Sequence, residues 1–272
     1  MVNNLLKSIL AKSFKIIDAF PTRQTNKEEL NNFIKLLYPI STDKKLIRVG
    51  PNGDGGYLIP DDIEGIKACF SPGVSSISGF EKELADKGIK IFMADKSVDG
   101  PAEKHDLFYF TKKFLGATSN NDFMTIDEWV TSSLTDKWDD LILQMDIEGY
   151  EHEVILSASE NLMNRFRIII AEFHYLDMLW SKPFFMLARR AFDKLLQTHS
   201  CVHIHPNNCC GSLIKDGIEI PRVMEFTFLR KDRISTSGYQ NNFPNEFDYD
   251  NENKPSIILP ECWYRKSKAS IS

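Results

Sequence analysis

The side chains best suited to chemistry stand together shortly after the middle of the chain. The apolar run 141–145 ends abruptly in Asp146 and Glu148, and a helix-like stretch follows. A segment that is apolar at nearly every position is typical of a strand buried on both faces. Carboxylates at the C-terminal end of such a strand lie where open α/β sheets bind ligands, so we predict an active site here. The structural alternative is that these acids cap the following helix.

A second group of candidates consists of strand-end histidines and one more acid. Glu172 and His174 close another strand pattern, and His203 and His205 lie two apart on a third. Residues two apart on a strand face the same side, so both pairs can join Asp146 in one ring. Such a ring can supply a general base or bind a divalent metal. We predict Asp146 and His174 as catalytic residues, and Asp146, Glu172 and His205 as the ligands of an optional metal. Each histidine taken alone could instead be structural.

The segment after the first predicted strand is suited to a nucleoside ligand. Ser71, Gly73 and Ser76 are small residues that let a ligand approach the backbone, and a helix N-terminus follows. Asp95 closes the next strand, where an acid typically binds ribose hydroxyls. The glycine spacing is not G-x-G-x-x-G, which favours an adenosine ligand over a dinucleotide. The alternative is a tight turn followed by a surface aspartate.

A glycine-rich segment further upstream completes the predicted cofactor contacts. Asp54, Gly55, Gly56 and Tyr57 form a loop that can fold closely around a small polar group. Arg48 before it could clamp a carboxylate or a phosphate. An Asp-Gly turn of a β-hairpin is the structural alternative, and the two interpretations are compatible.

The elements that must position these residues alternate along the chain. Strands are predicted at 67–71, 89–94, 107–110, 141–145 and 167–173. Helices are predicted at 79–87, 125–133, 151–161 and 183–197. This alternation is typical of a parallel sheet with helices on both faces.

The two ends of the chain depart from this alternation. Strand patterns at 201–205 and 223–229 are joined by a long loop without a helix signal, so we expect them to pair antiparallel. The Asn-, Asp- and Pro-rich tail 235–260 is predicted to be an ordered loop or lid.

Two helical patterns precede the first strand. The first, 4–19, is basic and amphipathic, and either packs on the domain or touches a membrane surface weakly. The second, 26–38, opens with the capping-box pattern Thr25-x-x-Glu28. We therefore divide the chain into an N-terminal helical segment, 1–40, and a main domain, 41–272.

Composition narrows the class of protein. A net charge of −5 argues against a nucleic-acid partner, since such proteins usually carry a basic face. No apolar run approaches the roughly 20 residues of a membrane span. Five cysteines, an odd number without C-x-x-C spacing, favour reduced thiols and a cytoplasmic location.

Several of these motifs together resemble one family. Gln144-Met-Asp-Ile-Glu-Gly-Tyr-Glu151 resembles the signature of FkbM-type methyltransferases, with Gln144 in place of the common lysine. The resemblance spans roughly residues 45–232. It also includes Arg48-Val-Gly50, Asp54-Gly-Gly-Tyr57, His203-Ile-His-Pro-Asn-Asn208 and Pro221-Arg-Val-Met-Glu-Phe-Thr-Phe228.

The resemblance implies a fold and an activity. The fold would be the Rossmann-like class I methyltransferase sheet of the α/β class, mostly parallel with a reversed last strand, plus the N-terminal helices. The activity would be S-adenosylmethionine-dependent O-methylation of a saccharide hydroxyl, on a nucleotide-linked sugar or a surface glycan, as in polysaccharide biosynthesis. Two alternatives stay open: an NAD-dependent oxidoreductase and a non-catalytic carbohydrate-binding protein. The oligomeric state is left open.

The C-terminal third is predicted to serve the acceptor sugar. His203, Asn207 and Asn208 are assigned to it because amide groups offer both a donor and an acceptor to sugar hydroxyls. The loop 206–220 and the tail 235–260 should cover the acceptor and exclude water. The alternative is that the two asparagines only tie a turn.

Overall fold

The computed structural model describes residues 21–136, 139–235 and 238–265. The helix predicted at 4–19, and with it the membrane contact, lies outside these residues. The division at residue 40 stays a prediction.

Seven strands of the described chain form one mixed sheet. They are β1 (Ala68–Pro72), β2 (Lys90–Ala94), β3 (Phe108–Thr111), β4 (Leu141–Met145), β5 (Phe166–Phe173), β6 (His199–Pro206) and β7 (Met224–Arg230). Their order is β6-β7-β5-β4-β1-β2-β3. β7 runs antiparallel to β5 and β6, and the other neighbouring strands are parallel. The predicted fold class, including the reversed last strand, is confirmed.

The helices of the described residues follow the predicted alternation with one break. They are α1 (Lys27–Leu36), α2 (Gly79–Asp86), α3 (Ile126–Ser133), α4 (Glu151–Ser157), α5 (Glu160–Met163) and α6 (Lys182–Thr198). The single helix predicted at 151–161 is wrong: Ala158 is extended, and Ser159 caps α5 by accepting the N–H of Leu162.

The start of α1 also differs from the predicted capping box. Asn26 caps the helix, with Oδ1 accepting the N–H of Glu28 at 2.8 Å. Thr25 instead donates its hydroxyl to the Leu179 carbonyl at 2.7 Å. The neighbouring Asn26 takes the cap, while Thr25 ties the N-terminal segment to the main domain.

The sheet is buried on both faces, as its apolar strands predict. All of β5 is buried, and its alternate residues enter two apolar clusters. Ile169, Ala171 and Phe173 face one cluster, while Ile168 and Ile170 face the other. The packing therefore fixes the register of β5 and the side on which each strand-end residue emerges.

Shorter strand pairs lie outside the seven-stranded sheet. Ser212–Lys215 and Ile218–Pro221 form a hairpin inside the region predicted as a plain loop, 206–220. Its two-residue turn is Asp216-Gly217, with φ of 52° and 77°, as such turns require. Other pairs join Leu46–Val49 to Tyr57–Pro60, Ile40–Ser41 to Gly238–Tyr239, and Phe114–Leu115 to Phe123–Met124.

Two further sequence expectations concern the surroundings of the protein. No helix among the described residues is long and apolar enough to cross a membrane. The five cysteines are unbridged, as expected for thiols without a disulfide framework.

Candidate active site

The loop from β4 to α4 turns sharply and is held by a buried acid. Glu148 and Gly149 have φ of 55° and 107°, so the backbone reverses at these two residues. Glu151 is fully buried, and its Oε1 accepts the N–H of Gly149 at 3.0 Å and of Ile147 at 3.3 Å. Tyr150 precedes α4 without a side-chain cap, so neither of the two predicted acids is a helix cap.

His174 lies at the centre of a group of carboxylates. Its Nδ1 is 3.1 Å from Glu151 Oε1. Its Nε2 is 3.4 Å from Glu148 Oε2, 3.5 Å from Glu172 Oε1 and 3.8 Å from Asp146 Oδ1. Burial lowers the pKa of His174, but the hydrogen bond and charge of Glu151 outweigh it and leave the pKa raised. In the neutral ring, Nδ1–H donates to Glu151, and the lone pair of Nε2 faces the other three acids.

Asp146 is poised between its two protonation states. Burial raises the pKa of Asp146 to about 7, with Glu148, Glu151 and Asp54 adding to the rise and His174 opposing it. Its Oδ1 is buried and has no hydrogen-bond partner among the described residues. A cation beside this oxygen would favour the ionised form.

Burial favours the neutral form of Glu172 in the same group of carboxylates. Burial raises the pKa of Glu172 well above its ordinary value, and the nearby Asp146 and Glu225 raise it further. Asn207 donates its amide N–H groups to Oε1 at 3.2 Å and Oε2 at 3.1 Å. A neutral carboxyl group can donate a hydrogen bond as well as accept one.

A cavity of about 300 Å³ opens beside this group. It lies at the C-terminal ends of β1, β2 and β4, and Gly73, Asp95 and Asp146 line it together with Phe123 and Tyr150. The two aromatic rings lie 5.9 Å apart and give the cavity an apolar wall. Such a mixture of apolar walls and a few polar groups is typical of small-molecule sites.

Gly73 is required where the loops after β1 and β4 meet. Its φ is +90°, and a Cβ built on it would lie 1.6 Å from the Asp146 carbonyl oxygen. Only glycine permits this approach, so Gly73 fixes the position of Asp146 at the cavity.

Asp95 joins the turns after β1 and β2. Its Oδ2 accepts the N–H of Val74 at 3.1 Å, and its Oδ1 accepts both the N–H and the hydroxyl of Ser97 at 2.6 Å. Each carboxylate oxygen can accept more than one hydrogen bond, so Asp95 retains acceptor capacity toward the cavity. Both of its sequence interpretations, turn residue and ribose ligand, fit this geometry.

Six predicted cofactor contacts do not line the cavity: Asp54, Gly55, Gly56, Tyr57, Ser71 and Ser76. Ser71 Oγ is buried, 2.6 Å from both Glu81 Oε1 and Gln144 Oε1. Tyr57 is also buried, and its hydroxyl accepts Gln144 Nε2–H at 3.1 Å. Ser76 is exposed on the turn and is not among the lining residues. Ser71 and Tyr57 thus support the floor of the site.

The glycine-rich loop forms the predicted hairpin, and Arg48 holds it closed. The guanidinium donates to the carbonyls of Pro51 at 2.7 Å, Gly53 at 2.7 Å and Phe247 at 3.1 Å. These bonds engage Arg48 with backbone carbonyls of its own loop and of the C-terminal tail, so its suggested role as a ligand clamp stays a prediction.

The tip of this loop carries Asp54, which is exposed and raises the pKa of Asp146 and Glu172 by its charge. The two glycines after it shape the loop: Gly55 has φ +71°, and a Cβ on Gly56 would lie 2.0 Å from the Pro51 carbonyl.

The end of β6 fastens the C-terminal tail. His203 Nε2 lies 2.8 Å from Asp248 Oδ1, and His205 Nε2 donates to the Tyr249 carbonyl at 2.9 Å. Asn208 donates to the backbone carbonyl of Glu252 at 2.8 Å. The tail therefore lies against the strand ends on the His174 side of the sheet, and its role as a lid stays a prediction.

The structure does not assemble the predicted metal ligands Asp146, Glu172 and His205. Among the described residues, the one group of three that could hold an ion is Asp146, Glu148 and His174, with ligand atoms within 4.8 Å of one another. His205 is tied to the tail and stands outside this group.

A larger cavity, about 1020 Å³, lies at the opposite end of the strands. Two of its charged residues, Arg230 and Asp140, form an ion pair at 2.6 Å. We assign the candidate site to the smaller cavity because Asp146 lines it, with a raised pKa and a buried oxygen that has no hydrogen-bond partner among the described residues.

Comparison with known proteins gives a family similarity. Residues 73–198 match the family model described as "Methyltransferase FkbM domain". The matched residues include the turn after β1, Asp95, the acidic loop and His174. The match ends before β6, so the histidines of β6 and the C-terminal tail lie outside it.

Other comparisons add little. No curated protein sequence matches the chain. Similar solved structures include a fibrillarin/Nop5p complex, with TM-score 0.37, 12% identity, and 61% of this chain and 74% of that chain covered. A 16S rRNA (adenine(1408)-N(1))-methyltransferase from Catenulisporales acidiphilia has TM-score 0.30, 7% identity, and coverage of 68% and 98%. An antibiotic-related methyltransferase has TM-score 0.26, 9% identity, and coverage of 76% and 95%. Likeness this weak says nothing about what this chain methylates.

Two residues of the site escaped the sequence analysis. Glu151 is the last residue of the quoted motif, which could have marked it as functional. Its bond to His174 could not be predicted from the local sequence, because the two residues are 23 positions apart. Asp248 gave no local signal, because it contacts His203 45 positions away.

Proposed function

We propose that this protein transfers the methyl group of S-adenosylmethionine to a hydroxyl of a saccharide. The observation that carries the proposal is the His174 ring. Glu151 accepts a hydrogen bond from Nδ1–H, so Nε2 faces Asp146, Glu148 and Glu172 as a proton acceptor. A sugar hydroxyl is a poor nucleophile until a base takes its proton, and the orientation of Nε2 supports His174 as that base.

The residues around the cavity fit S-adenosylmethionine, which supplies an electrophilic methyl group on a positively charged sulfur. Asp146 Oδ1, buried and without a partner, and Asp54 suit the positive groups of the ligand. Asp95 has acceptor capacity for ribose hydroxyls, and Phe123 and Tyr150 offer an apolar wall to adenine.

In the proposed mechanism, His174, Glu151 and Glu172 each have a separate role. His174 Nε2 accepts the hydroxyl proton, and Glu151 stabilises the imidazolium that results. Glu172, whose neutral form burial favours, donates or accepts a hydrogen bond to the acceptor, with Asn207 fixing its orientation. The tail fastened by His203 and Asn208 covers this side and limits the access of water.

A metal-assisted version is the second candidate, because Asp146, Glu148 and His174 could together hold a divalent ion. Carboxylates and imidazole suit Zn²⁺, Fe²⁺ or Ni²⁺ better than Mg²⁺. Elemental analysis and activity after exhaustive chelation separate the two versions: full activity without metal removes the second.

A transfer screen tests the proposal. The protein is incubated with S-adenosylmethionine carrying a labelled methyl group and with panels of nucleotide sugars and glycans. Calorimetry with S-adenosylmethionine and with NAD tests the oxidoreductase alternative. Methyl transfer to any saccharide would exclude a non-catalytic carbohydrate-binding protein. NAD binding without S-adenosylmethionine binding would overturn the proposal. The unbridged cysteines support the cytoplasm as the place of the reaction.

A further inference from the structure

Tyr175, directly after His174, has a left-handed backbone. The described residues include three with positive φ that are not glycine: Glu148, Tyr175 and Asp216. Two-residue turns account for Asp216 and for Glu148, since the N–H of Tyr150 bonds to the Ile147 carbonyl at 3.4 Å across Glu148 and Gly149. Tyr175 instead immediately precedes the 3-10 helix Leu176–Trp180. Left-handed backbone at a bulky residue is strained, and such strain clusters at functional sites.

The strain at Tyr175 fixes an aromatic ring beside the acidic loop. A Cβ on Gly149 would lie 2.6 Å from Cε2 of Tyr175, so the ring rests directly on the glycine backbone. The ring centroid is 6.2 Å from that of His174. Tyr175 nevertheless stays 56% exposed, which is unusual for an aromatic residue packed so closely.

The position of Tyr175 assigns it to the acceptor. It is not among the residues that line the cavity proposed for S-adenosylmethionine, although Tyr150 on the neighbouring loop is. Tyr175 follows directly on His174, the base that must touch the acceptor hydroxyl. The exposed ring of Tyr175 therefore lies beside the proposed base, within reach of a ligand bound there.

The negative charge beside His174 favours an uncharged ligand. The side chain of Glu148 is 83% exposed at this site, and the nearby Asp54 is also exposed. The basic residues described around this site are engaged: Arg48 by backbone carbonyls, and Arg222 by Asp177 at 3.3 Å. A diphosphate would meet negative potential without a free cation to neutralise it.

We propose that Tyr175 is a stacking platform for a pyranose ring of a neutral saccharide acceptor. The inference rests on the proposed function and narrows it, because it favours a glycan over a nucleotide-linked sugar. One face of a pyranose is formed by C–H groups with partial positive charge, and the face of an aromatic ring is negative. Stacking on Tyr175 orients the sugar while its hydroxyls reach His174 and Glu172.

Saturation-transfer NMR tests the platform on the whole protein with S-adenosylhomocysteine bound. The probes are the methyl glycosides of glucose, galactose and mannose, with UDP-glucose and GDP-mannose as the charged class. Tyr175→Asn removes the ring but keeps a residue that tolerates the left-handed backbone, and Tyr175→Phe keeps the ring. Tyr239→Asn, at a residue that is 45% exposed and paired with Ile40, is the control.

We expect at least one neutral glycoside to bind, with saturation of its ring C–H protons. Tyr175→Asn should weaken that binding about three- to tenfold, while Tyr175→Phe and Tyr239→Asn stay within twofold. The inference fails if no neutral glycoside binds, if a nucleotide sugar binds better, or if Tyr175→Asn binds as the wild type does. Calorimetry with S-adenosylmethionine is run in parallel, so that failure of the methyltransferase proposal is seen separately.

Discussion

At the residue scale, the proposed proton transfer depends on His174 and on the buried Glu151. Glu151 sets the tautomer of His174 and at the same time holds the backbone of the acidic loop through Gly149. Its pKa would be raised by burial, but the bond to His174 lowers it, so Glu151 stays ionised beside the ring. The same carboxylate thus positions the base and shapes the loop that carries Asp146 and Glu148.

The raised pKa of His174 predicts the acid side of the pH profile. A base acts only when deprotonated, so kcat should rise with pH through a pKa above the ordinary value of about 6.5. Glu151→Gln removes the negative charge, and the rising limb should move to lower pH with a reduced plateau. Steady-state rates from pH 5 to 9 check this. An unshifted limb would show that another group takes the proton.

Asp95 should contribute to binding S-adenosylmethionine through its carboxylate. Asp95→Ala removes charge-assisted hydrogen bonds, each worth about 1.5–3 kcal/mol at most, so affinity should fall about tenfold or more. Calorimetry measures the affinity, and thermal melting verifies folding, because Asp95 also holds Val74 and Ser97. Asp95→Asn keeps part of the acceptor capacity, so its affinity should lie between those of the wild type and Asp95→Ala. Unchanged affinity in a folded Ala variant would remove Asp95 from the site.

At the element scale, the site depends on loops that touch at the carboxyl ends of strands. The turn after β1 presses on the loop after β4 at Gly73, and the tail is fastened to the end of β6. These contacts, rather than the strands themselves, set the distances among the reacting groups.

Gly73→Ala should disrupt the contact between the first two loops. The new Cβ meets the Asp146 carbonyl, whereas Gly88→Ala is a matched control with φ +86° and nothing within 4 Å. Gly88→Ala should cost about 1–2 kcal/mol of unfolding free energy from backbone strain alone. Gly73→Ala should cost clearly more and also weaken S-adenosylmethionine binding, as urea unfolding and calorimetry would show. Equal costs for the two variants would mean that the close approach is unimportant.

Asn208→Ala should loosen the tail without affecting the cofactor. The amide donates to the carbonyls of Glu252 and Lys254 at 2.8 and 3.0 Å and accepts the N–H of Glu252 at 2.9 Å. We expect lower kcat/KM for the saccharide and nearly unchanged affinity for S-adenosylmethionine. Weakened cofactor binding, or unaltered catalysis, would contradict a lid over the acceptor.

At the scale of the whole molecule, local pattern predicted the framework and long-range packing decided the site. Apolar strands and intervening helices are local signals, so the seven-stranded sheet of the described residues followed from them and from the resemblance. The partner of each polar side chain is not a local property. Arg48 donates to a carbonyl 199 positions away, and Ser71 bonds to Gln144 73 positions away, so no local signal in the sequence indicated that both side chains have partners within the protein. The ring around His174 was predictable because parallel strands end at one edge.

The central claim is that His174 takes the proton of a saccharide hydroxyl as it is methylated. The most direct measurement is single-turnover transfer of a labelled methyl group from S-adenosylmethionine to a saccharide acceptor by the wild type and His174→Ala. We predict label on a hydroxyl oxygen of the sugar, and a transfer rate about 10²- to 10⁴-fold lower in the variant with cofactor affinity retained. Transfer at the wild-type rate by His174→Ala, or binding of S-adenosylmethionine without transfer to any saccharide, would contradict the account.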